Sequence, residues 1–365
     1  MSSPKLFQPI NVGNITLKHR VVLAPLTRSR TEKDVPVAEL VKEHYSQRAS
    51  SPGTLLITEG VVIAPQASGY RSIPHFWTEE QINAWKPIVD AVHAKGSYIF
   101  LQILALGRAA SKAVLQALDP SYEVVGAGDI PYTGGDIPRP LSLDEIQEYI
   151  GWYAKAAKDG VEKAGFDGVE IHACNSDLIQ QFLEEQSNNR TDGYGGSIEN
   201  RAKFALQVVE AVSKAIGMEK TALRLGPWPS LFDMGMKDPF PTYTYLLEKL
   251  KESHSSLAYI HVIEPRSDMN PAFDKEEHDQ EISNVFIQKI WSPRPLILCG
   301  SFNRQTAIDS AEDDGILIAF GRHFIANPDL PVRLEKDLPL TPYDRSTFYT
   351  PGPKGYTDYP FAASS

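Results

Sequence analysis

Three polar side chains, His172, Asn175 and Asp177, follow a short apolar run and could act together on a carbonyl group. The run, residues 168–171, has the composition of a strand buried on both faces. His172 and Asn175 can both donate hydrogen bonds, and two donors aimed at one oxygen stabilise negative charge that develops there. Asp177 adds a carboxyl group. The stretch therefore predicts a site that holds and polarises a carbonyl.

Eight short apolar runs, each followed by a segment of helical pattern, recur along the chain. Their lack of alternation is typical of parallel strands buried on both faces. Thr78 and Ser142 begin two of the helical segments with capping boxes, which satisfy free backbone N–H groups. This order predicts an α/β fold, a (β/α)8 TIM barrel in a single domain over residues 1–365, with a doubly wound open sheet as the alternative. The runs are 21–24, 55–58, 98–101, 168–171, 222–225, 258–263, 296–299 and 316–320.

Three segments lie outside this repeat. Residues 1–20 contain a hairpin pattern around Gly13, which we expect to cap one end of the barrel. Residues 104–140, after the third strand, form the longest excursion and are rich in glycine and proline, as lids and binding loops often are. Residues 351–365 carry no apolar stripe, so we expect this tail to wrap over the surface or fray.

Every predicted strand ends in polar or glycine residues. Because these carboxyl ends meet at one face of a barrel, the residues should share a rim, where barrel enzymes carry their chemistry. The pairs Gly300-Ser301 and Gly321-Arg322 follow the last two strands, where barrels commonly bind a phosphate. The other rim residues are Pro25 to Arg28, Glu59, Gly60, Gln102, His172, Asn175, Arg224, His261, Glu264 and Arg266.

Composition and charge exclude several classes of protein. The 365 residues carry a net charge of −10, with no basic stripe to bind a nucleic-acid backbone. The two cysteines, Cys174 and Cys299, are too few for a disulfide framework and lack the spacing of a metal site. The start lacks the pattern of a secretory signal, and no apolar run could span a bilayer. We therefore expect a cytoplasmic protein with a small-molecule substrate, no metal, and no nucleic-acid or membrane partner.

Several longer motifs occur in the order that one enzyme family shows. The central motif continues from His172 to residues 188–201, which read Asn-Asn-Arg-Thr-Asp-Gly-Tyr-Gly-Gly-Ser-Ile-Glu-Asn-Arg. Residues 24–28, 321–330 and 343–349 supply the others. Together they resemble the Old Yellow Enzyme family of FMN-dependent ene-reductases over nearly the whole chain. The pattern is most similar to the fungal branch, which includes specialised-metabolism members related to the ergot-alkaloid reductase.

The resemblance implies an FMN-dependent oxidoreductase that uses NADPH or NADH. Its flavin would pass a hydride to the β-carbon of an α,β-unsaturated carbonyl compound. His172 and Asn175 match the family pair that donates hydrogen bonds to the carbonyl oxygen, where negative charge builds up. The family's flavin contacts fall on Pro25, Leu26 and Thr27 for the isoalloxazine ring, Gly60 and Gln102 for its pyrimidine edge, Arg224 near N1 and O2, and Gly300, Ser301, Gly321 and Arg322 for the phosphate.

The chain departs from the family at Asp177, where a tyrosine usually protonates the α-carbon. The reference pKa of an aspartate is about 3.9, so Asp177 should be charged at neutral pH. Keeping it protonated at pH 7 would cost about 4 kcal/mol of desolvation or charge repulsion. Asp177 could be a spectator in ordinary ene-reduction, a general base for desaturation or isomerisation, or the partner of a cationic amine in the substrate.

The expected pocket favours a bulky substrate, as in secondary-metabolite biosynthesis. Leu104 stands where many family members carry tryptophan, and Tyr70 and Tyr349 are expected at the opening. A Schiff-base aldolase on the same fold would need a lysine at a strand end, and none of the eight ends supplies one. The remaining alternatives are a redox-neutral isomerase or cyclase that keeps FMN as a scaffold, and a flavin-binding protein without catalysis.

Overall fold

Eight parallel strands close into a barrel in the computed structural model, which describes residues 3–229, 231–265 and 282–363. Each strand pairs with the next along the chain, and the eighth pairs with the first. The predicted (β/α)8 barrel is therefore confirmed. The strands are β1 (Val21–Leu23), β2 (Leu55–Ile57), β3 (Tyr98–Leu104), β4 (Gly168–Ala173), β5 (Thr221–Leu225), β6 (Tyr259–Ile263), β7 (Leu296–Cys299) and β8 (Ile316–Phe320).

Helices cover the outside of the barrel. Thr78 and Ser142 form the capping boxes expected from the sequence, and Ser197 accepts a hydrogen bond from the backbone of Asn200 at the start of another helix. The α-helices among the described residues are Ala38–Arg48, Glu79–His93, Lys112–Leu118, Leu143–Asp159, Leu178–Leu183, Ile198–Ile216, Phe240–Ser253, Val285–Trp291, Arg304–Ala311, Arg322–Ala326 and Leu330–Glu335. None of the helices described is long and apolar enough to cross a membrane.

The apolar core has two layers. The larger one lies between the strands and the helices, and the smaller one fills the barrel with alternate strand residues such as Phe100 and Tyr259. The N-terminal hairpin, in which Ile10–Val12 pairs antiparallel with Ile15–Leu17, joins this inner layer. A Cβ on Gly13 would lie 3.2 Å from Cβ of Ala258, just before β6. The hairpin thus covers the amino-terminal end of the barrel, opposite the rim.

The long excursion after β3 is partly ordered into secondary structure. It contains the helix Lys112–Leu118 and a parallel pair of two-residue strands, Val125–Gly126 and Arg139–Pro140. Another short strand, Val61–Val62, pairs with the end of β3. The predicted rim residue Arg266 lies outside the described residues, as do the first two residues of the hairpin segment and the last two of the tail.

The C-terminal tail is anchored more deeply than its composition indicates. Tyr356 is fully buried, and its ring stacks on His44 with the centroids 3.9 Å apart. The guanidinium groups of Arg28 and Arg30 lie 5.1 and 4.7 Å from the centre of the same ring. The expectation that the tail wraps over the surface or frays is therefore wrong for Tyr356. The composition of the tail does not indicate this burial, because the residues that contact Tyr356 lie about 300 residues earlier in the chain.

Candidate active site

Strand register brings the polar rim residues together. His172 on β4 pairs with Arg224 on β5, and Arg224 in turn pairs with His261 on β6. On the other side of β4, Glu170 pairs with Gln102 on β3. Because residues two apart in a strand share a face, Glu170 and His172 point the same way. A polar group thus forms inside the barrel at its carboxyl end.

A strained turn follows β4. Asn175 and Ser176 have φ angles of 54° and 71°, in the left-handed region that usually favours glycine. Ser176 stands where the family usually has glycine, and two hydrogen bonds hold it there. Its hydroxyl donates to the carbonyl of Leu231 at 2.7 Å, and its backbone N–H donates to Gln180 at 2.8 Å. The turn thereby fixes the positions of Asn175 before it and Asp177 after it.

The three side chains singled out from the sequence meet in space. The carboxyl oxygen Oδ2 of Asp177 lies 3.3 Å from Nε2 of His172, and Nδ2 of Asn175 lies 3.4 Å from the same nitrogen. Asp177 precedes the helix Leu178–Leu183 without capping it. On the other ring nitrogen, Sγ of Cys174 lies 3.4 Å from Nδ1 of His172. A hydrogen bond from this thiol to Nδ1 would leave the ring proton on Nε2.

Burial decides the charges in this group. It raises the pKa of Asp177 well above its ordinary value, opposite to the expectation of a charged carboxylate. Burial, together with the positive charge of Arg224, lowers the pKa of His172 to about 3. Burial also raises the pKa of the Cys174 thiol. His172 is therefore a neutral imidazole at neutral pH, and burial favours the protonated forms of Asp177 and Cys174.

The residues expected around the isoalloxazine ring leave features that fit a flat ligand. A Cβ on Gly60 would lie 2.4 Å from Leu104 and 3.2 Å from Oε1 of Gln102, so a side chain at this position would collide with Leu104. Nε of Arg224 is buried and has no hydrogen-bond partner among the described residues. The segment Pro25 to Thr27 directly follows β1, with Leu26 and Thr27 half-buried. These groups fit the flavin that the sequence motifs imply.

The residues expected at the phosphate follow two adjacent strands. Gly300 and Ser301, after β7, have φ angles of 139° and 48°. Gly321, after β8, begins the helix Arg322–Ala326, and a Cβ there would lie 3.2 Å from Leu26. Nη1 of Arg322 donates to the hydroxyl of Tyr343 at 3.2 Å. Gly300 and Ser301 thus follow the strand that pairs with the one before Gly321 and Arg322, an arrangement in which barrels commonly bind a phosphate.

The residues expected to line the substrate pocket differ in exposure. Leu104 is buried beside Gly60, whereas Tyr70 and Tyr349 are 52% and 61% exposed. Tyr349 follows Phe348, whose carbonyl accepts hydrogen bonds from Arg28 and Arg30. The two exposed tyrosines are free to contact a ligand at an opening, and their role in substrate binding stays a prediction.

Sequence reasoning passed over three buried charged residues near the site. Glu170 sits two residues before His172, and this spacing could have indicated its inward direction. Arg108 and Glu184 hold the loop after β5: Arg108 donates to the carbonyl of Phe232 at 2.8 Å, and Glu184 accepts from the N–H of Gly235 at 2.8 Å. No local signal points to that pair. Within the described residues no group of three or more His, Cys, Asp or Glu side chains could hold a metal.

Comparison with known proteins gives one consistent family. The model of the NADH:flavin oxidoreductase / NADH oxidase family matches residues 5–341. The chain is 44% identical to the NADP-dependent oxidoreductase lnbE of Aspergillus flavus, over 98% of this chain and 96% of that protein. It is 42% identical to the chanoclavine-I aldehyde reductase fgaOx3 of Penicillium roqueforti, over 98% and 97% of the two chains.

Two further matches extend the comparison. The chain is 41% identical to a protein of Claviceps fusiformis named as the probable inactive dehydrogenase easA, over 99% of this chain and 96% of that one. Among solved structures, it superimposes on the Old Yellow Enzyme from Pichia sp. AKU4542 with a TM-score of 0.89 and 34% sequence identity, covering 99% and 95% of the two chains.

Proposed function

We propose that this chain, which belongs to the NADH:flavin oxidoreductase / NADH oxidase family, reduces the carbon–carbon double bond of a bulky α,β-unsaturated carbonyl compound. It is an FMN-dependent NAD(P)H oxidoreductase of the Old Yellow Enzyme type, on the fungal branch that the sequence indicated. The observation that carries the proposal is the convergence of Asn175 and Asp177 on Nε2 of His172, at 3.4 and 3.3 Å.

His172 and Asn175 act on the carbonyl oxygen of the substrate. When bound, FMN supplies the hydride, which it takes from NAD(P)H. Hydride arrival at the β-carbon moves an electron pair through the double bond onto the carbonyl oxygen. The N–H groups of His172 and Asn175 stabilise that charge better than they stabilise the uncharged carbonyl, so they lower the barrier. The neutral state of His172 leaves one ring nitrogen to carry the proton that it donates.

Asp177 supplies the proton that completes the reduction. The α-carbon must gain a proton as the carbonyl is restored, and burial favours the protonated form of the Asp177 carboxyl, which can supply it. The carboxylate that remains regains its proton from water before the next turnover. Asp177 thereby takes the part that a tyrosine plays in most of the family, with a shorter side chain and a lower intrinsic pKa.

The proposed flavin contacts are those that the family resemblance implies. Pro25, Leu26 and Thr27 would contact the isoalloxazine ring, with Gly60 and Gln102 at its pyrimidine edge. Arg224 would place its positive charge near N1 and O2, where its unpartnered Nε supports the assignment. The backbone of Gly300, Ser301 and Gly321 would hold the phosphate together with the guanidinium group of Arg322.

Two relatives bear on the proposal, one named as a reductase and one named as a probable inactive dehydrogenase. The chanoclavine-I aldehyde reductase supports an aldehyde as the carbonyl group of the substrate, while the protein named as a probable inactive dehydrogenase indicates that similarity alone does not ensure turnover. In this chain His172, Asn175 and Arg224 are all present and buried or half-buried at the rim, which supports an active enzyme. The leucine at position 104 leaves room for a bulky substrate.

The desaturase and isomerase alternatives require Asp177 to remove a proton from the substrate. The Asp177 carboxyl can do so only as the carboxylate, and burial disfavours that form. A cationic amine in the substrate would change this, because an adjacent positive charge favours the carboxylate. Reduction is therefore the function that the geometry supports best for an uncharged substrate.

An isotope experiment tests the proposal. The purified protein, loaded with FMN, is given cinnamaldehyde and NADPH carrying deuterium at the transferable position, and the products are identified. We expect 3-phenylpropanal with deuterium on the β-carbon. The same reaction with unlabelled NADPH in heavy water should place deuterium on the α-carbon.

Deuterium on the hydroxyl-bearing carbon of an alcohol product would contradict the proposal, because it would mean that the carbonyl group itself is reduced. In a parallel reaction with crotonaldehyde, which unlike cinnamaldehyde carries hydrogen on its γ-carbon, migration of the double bond without consumption of NADPH would instead support the isomerase alternative. His172→Ala and Asn175→Ala serve as site variants, and each should lower the rate on the order of a hundredfold.

A further inference from the structure

A buried carboxylate lies behind the expected flavin site and is not part of the proposed reaction. Glu170, in the middle of β4, is fully buried, and its carboxyl group contacts Gln102 on β3 and His261 on β6. We propose that Glu170 is a positioning residue, which holds the side-chain amide of Gln102 so that its carbonyl oxygen faces the pyrimidine edge of FMN. The inference rests on the proposed placement of Gln102 at the flavin.

The contacts of Glu170 are short and come from two directions. Its Oε1 accepts a hydrogen bond from Nε2 of Gln102 at 2.7 Å, across the pairing of β4 with β3. Its Oε2 lies 2.8 Å from Nδ1 of His261 on β6. All three side chains are at most 3% exposed. Both carboxyl oxygens are therefore committed, and the side chain has little freedom to turn.

The orientation of the Gln102 amide follows from these contacts. A carboxylate has no proton to donate, so the nitrogen of the amide, and not its oxygen, must face Glu170. The amide oxygen then points away from Glu170. It lies 3.2 Å from where a Cβ on Gly60 would be, and Gly60 is the other residue expected at the pyrimidine edge of the flavin. An acceptor in that position suits an N–H donor such as N3 of the pyrimidine ring.

The charge of Glu170 is supported by its neighbours. Burial alone would raise its pKa, but the positive charges of His261 and Arg224 outweigh burial and lower it. The same pairing raises the pKa of His261 against the effect of burial. Glu170 is therefore an acceptor only, as the orientation of Gln102 requires. A neutral glutamine in its place could donate or accept and would leave the amide of Gln102 free to turn over.

A double-mutant cycle on FMN binding tests this role. The apoproteins of the wild type, Glu170→Gln, Gln102→Ala and the double variant are titrated with FMN, and the dissociation constant is read from the quenching of flavin fluorescence. We expect each single substitution to weaken binding about tenfold, the effect of one hydrogen bond. The double variant should bind no more weakly than Gln102→Ala alone, because Glu170 acts through Gln102.

Two further variants control for damage to the barrel. Ile171→Val removes one methyl group from the outward face of β4 and should leave FMN binding unchanged. Glu170→Asp keeps the charge beside His261 but is too short to reach Gln102, so it should weaken FMN binding about as much as Glu170→Gln. If Glu170→Gln does not fold, Glu170→Asp replaces it in the double-mutant cycle with Gln102→Ala.

The outcomes separate this inference from the proposed flavin site. If Gln102→Ala leaves FMN binding unchanged, Gln102 does not contact the flavin, and both the placement and the inference are wrong. If Gln102→Ala weakens binding and neither Glu170 variant does, the inference alone is overturned. Equal losses from Glu170→Gln with and without Gln102 would also overturn it, because Glu170 would then act independently of the amide.

Discussion

The carboxyl group of Asp177 lies 3.3 Å from Nε2 of His172, and both side chains are buried at the carboxyl end of β4. Burial raises the pKa of the first and lowers that of the second to about 3, so it disfavours an ion pair between the two groups. An ion pair would satisfy both groups internally. Two neutral groups instead keep a proton and an N–H donor available to a substrate.

Replacing Asp177 by asparagine should slow reduction of the double bond. Asparagine has nearly the same shape but holds no transferable proton, so the rate of the reaction from FMN to the unsaturated aldehyde should fall about a hundredfold. Stopped-flow absorbance of the pre-reduced protein measures this step without the reaction with NADPH. Asp177→Tyr places an acidic hydroxyl at this position, so its rate should lie well above that of Asp177→Asn. If Asp177→Asn reacts as fast as the wild type, Asp177 is a spectator and solvent provides the proton.

Replacing Arg322 by alanine should weaken binding of the phosphate and leave the ring contacts intact. A hydrogen bond to a charged group is worth more than a neutral one, so the dissociation constant of FMN should rise at least about tenfold. Riboflavin, which lacks the phosphate, is the matched ligand, and its affinity should be unchanged by the substitution. A similar loss for both ligands would show that Arg322 supports the fold through Tyr343 and not the phosphate.

Replacing Glu184 by glutamine should change how stability depends on pH. Burial raises the pKa of Glu184 from its ordinary value of 4.5 to about 7. The folded state therefore holds this proton more tightly than the unfolded state does. The resulting stability is fully present below pH 4.5 and is lost as pH rises to about 7. Between pH 5 and pH 8 the wild type should lose about 3 kcal/mol that Glu184→Gln does not lose.

Urea unfolding of both proteins at pH 5 and pH 8 measures that difference. Glu59, whose pKa burial also raises to about 7, is common to both proteins and cancels in the comparison. Parallel losses in the two proteins would mean that Glu184 keeps its charge in the folded state. A charged Glu184 would accept a stronger hydrogen bond from the N–H of Gly235 than a neutral one. Such a result would therefore also mean that the loop after β5 is held more firmly.

Replacing Tyr356 by alanine should destabilise the protein strongly. The buried ring stacks on His44, so its removal leaves a cavity and should cost about 4 kcal/mol in the free energy of unfolding. Phe361, in the same tail but 46% exposed, provides the matched control, and Phe361→Ala should cost less than about 1 kcal/mol. Equal effects of the two substitutions would contradict the anchoring role of Tyr356.

The barrel could be predicted from sequence because its signals are local. Each strand is a short apolar run, and the caps at Thr78 and Ser142 depend on residues three positions apart. The meeting of His172 with Arg224 follows from the order of the strands at one rim. The raised pKa of Asp177 and the burial of Tyr356 could not be predicted in this way, because each depends on residues far away in the chain, such as Tyr153 near Asp177 and His44 against Tyr356.

The attachment of the tail also has a consequence for how the site is completed during synthesis. Arg28 and Arg30 directly follow the proposed flavin contacts Pro25 to Thr27, and both donate to the carbonyl of Phe348, 320 and 318 residues later in the chain. The loop after β1 leaves the ribosome early but lacks these acceptors until the tail emerges. We therefore expect a nascent chain that stops before Phe348 to hold FMN poorly, so that cofactor loading follows translation.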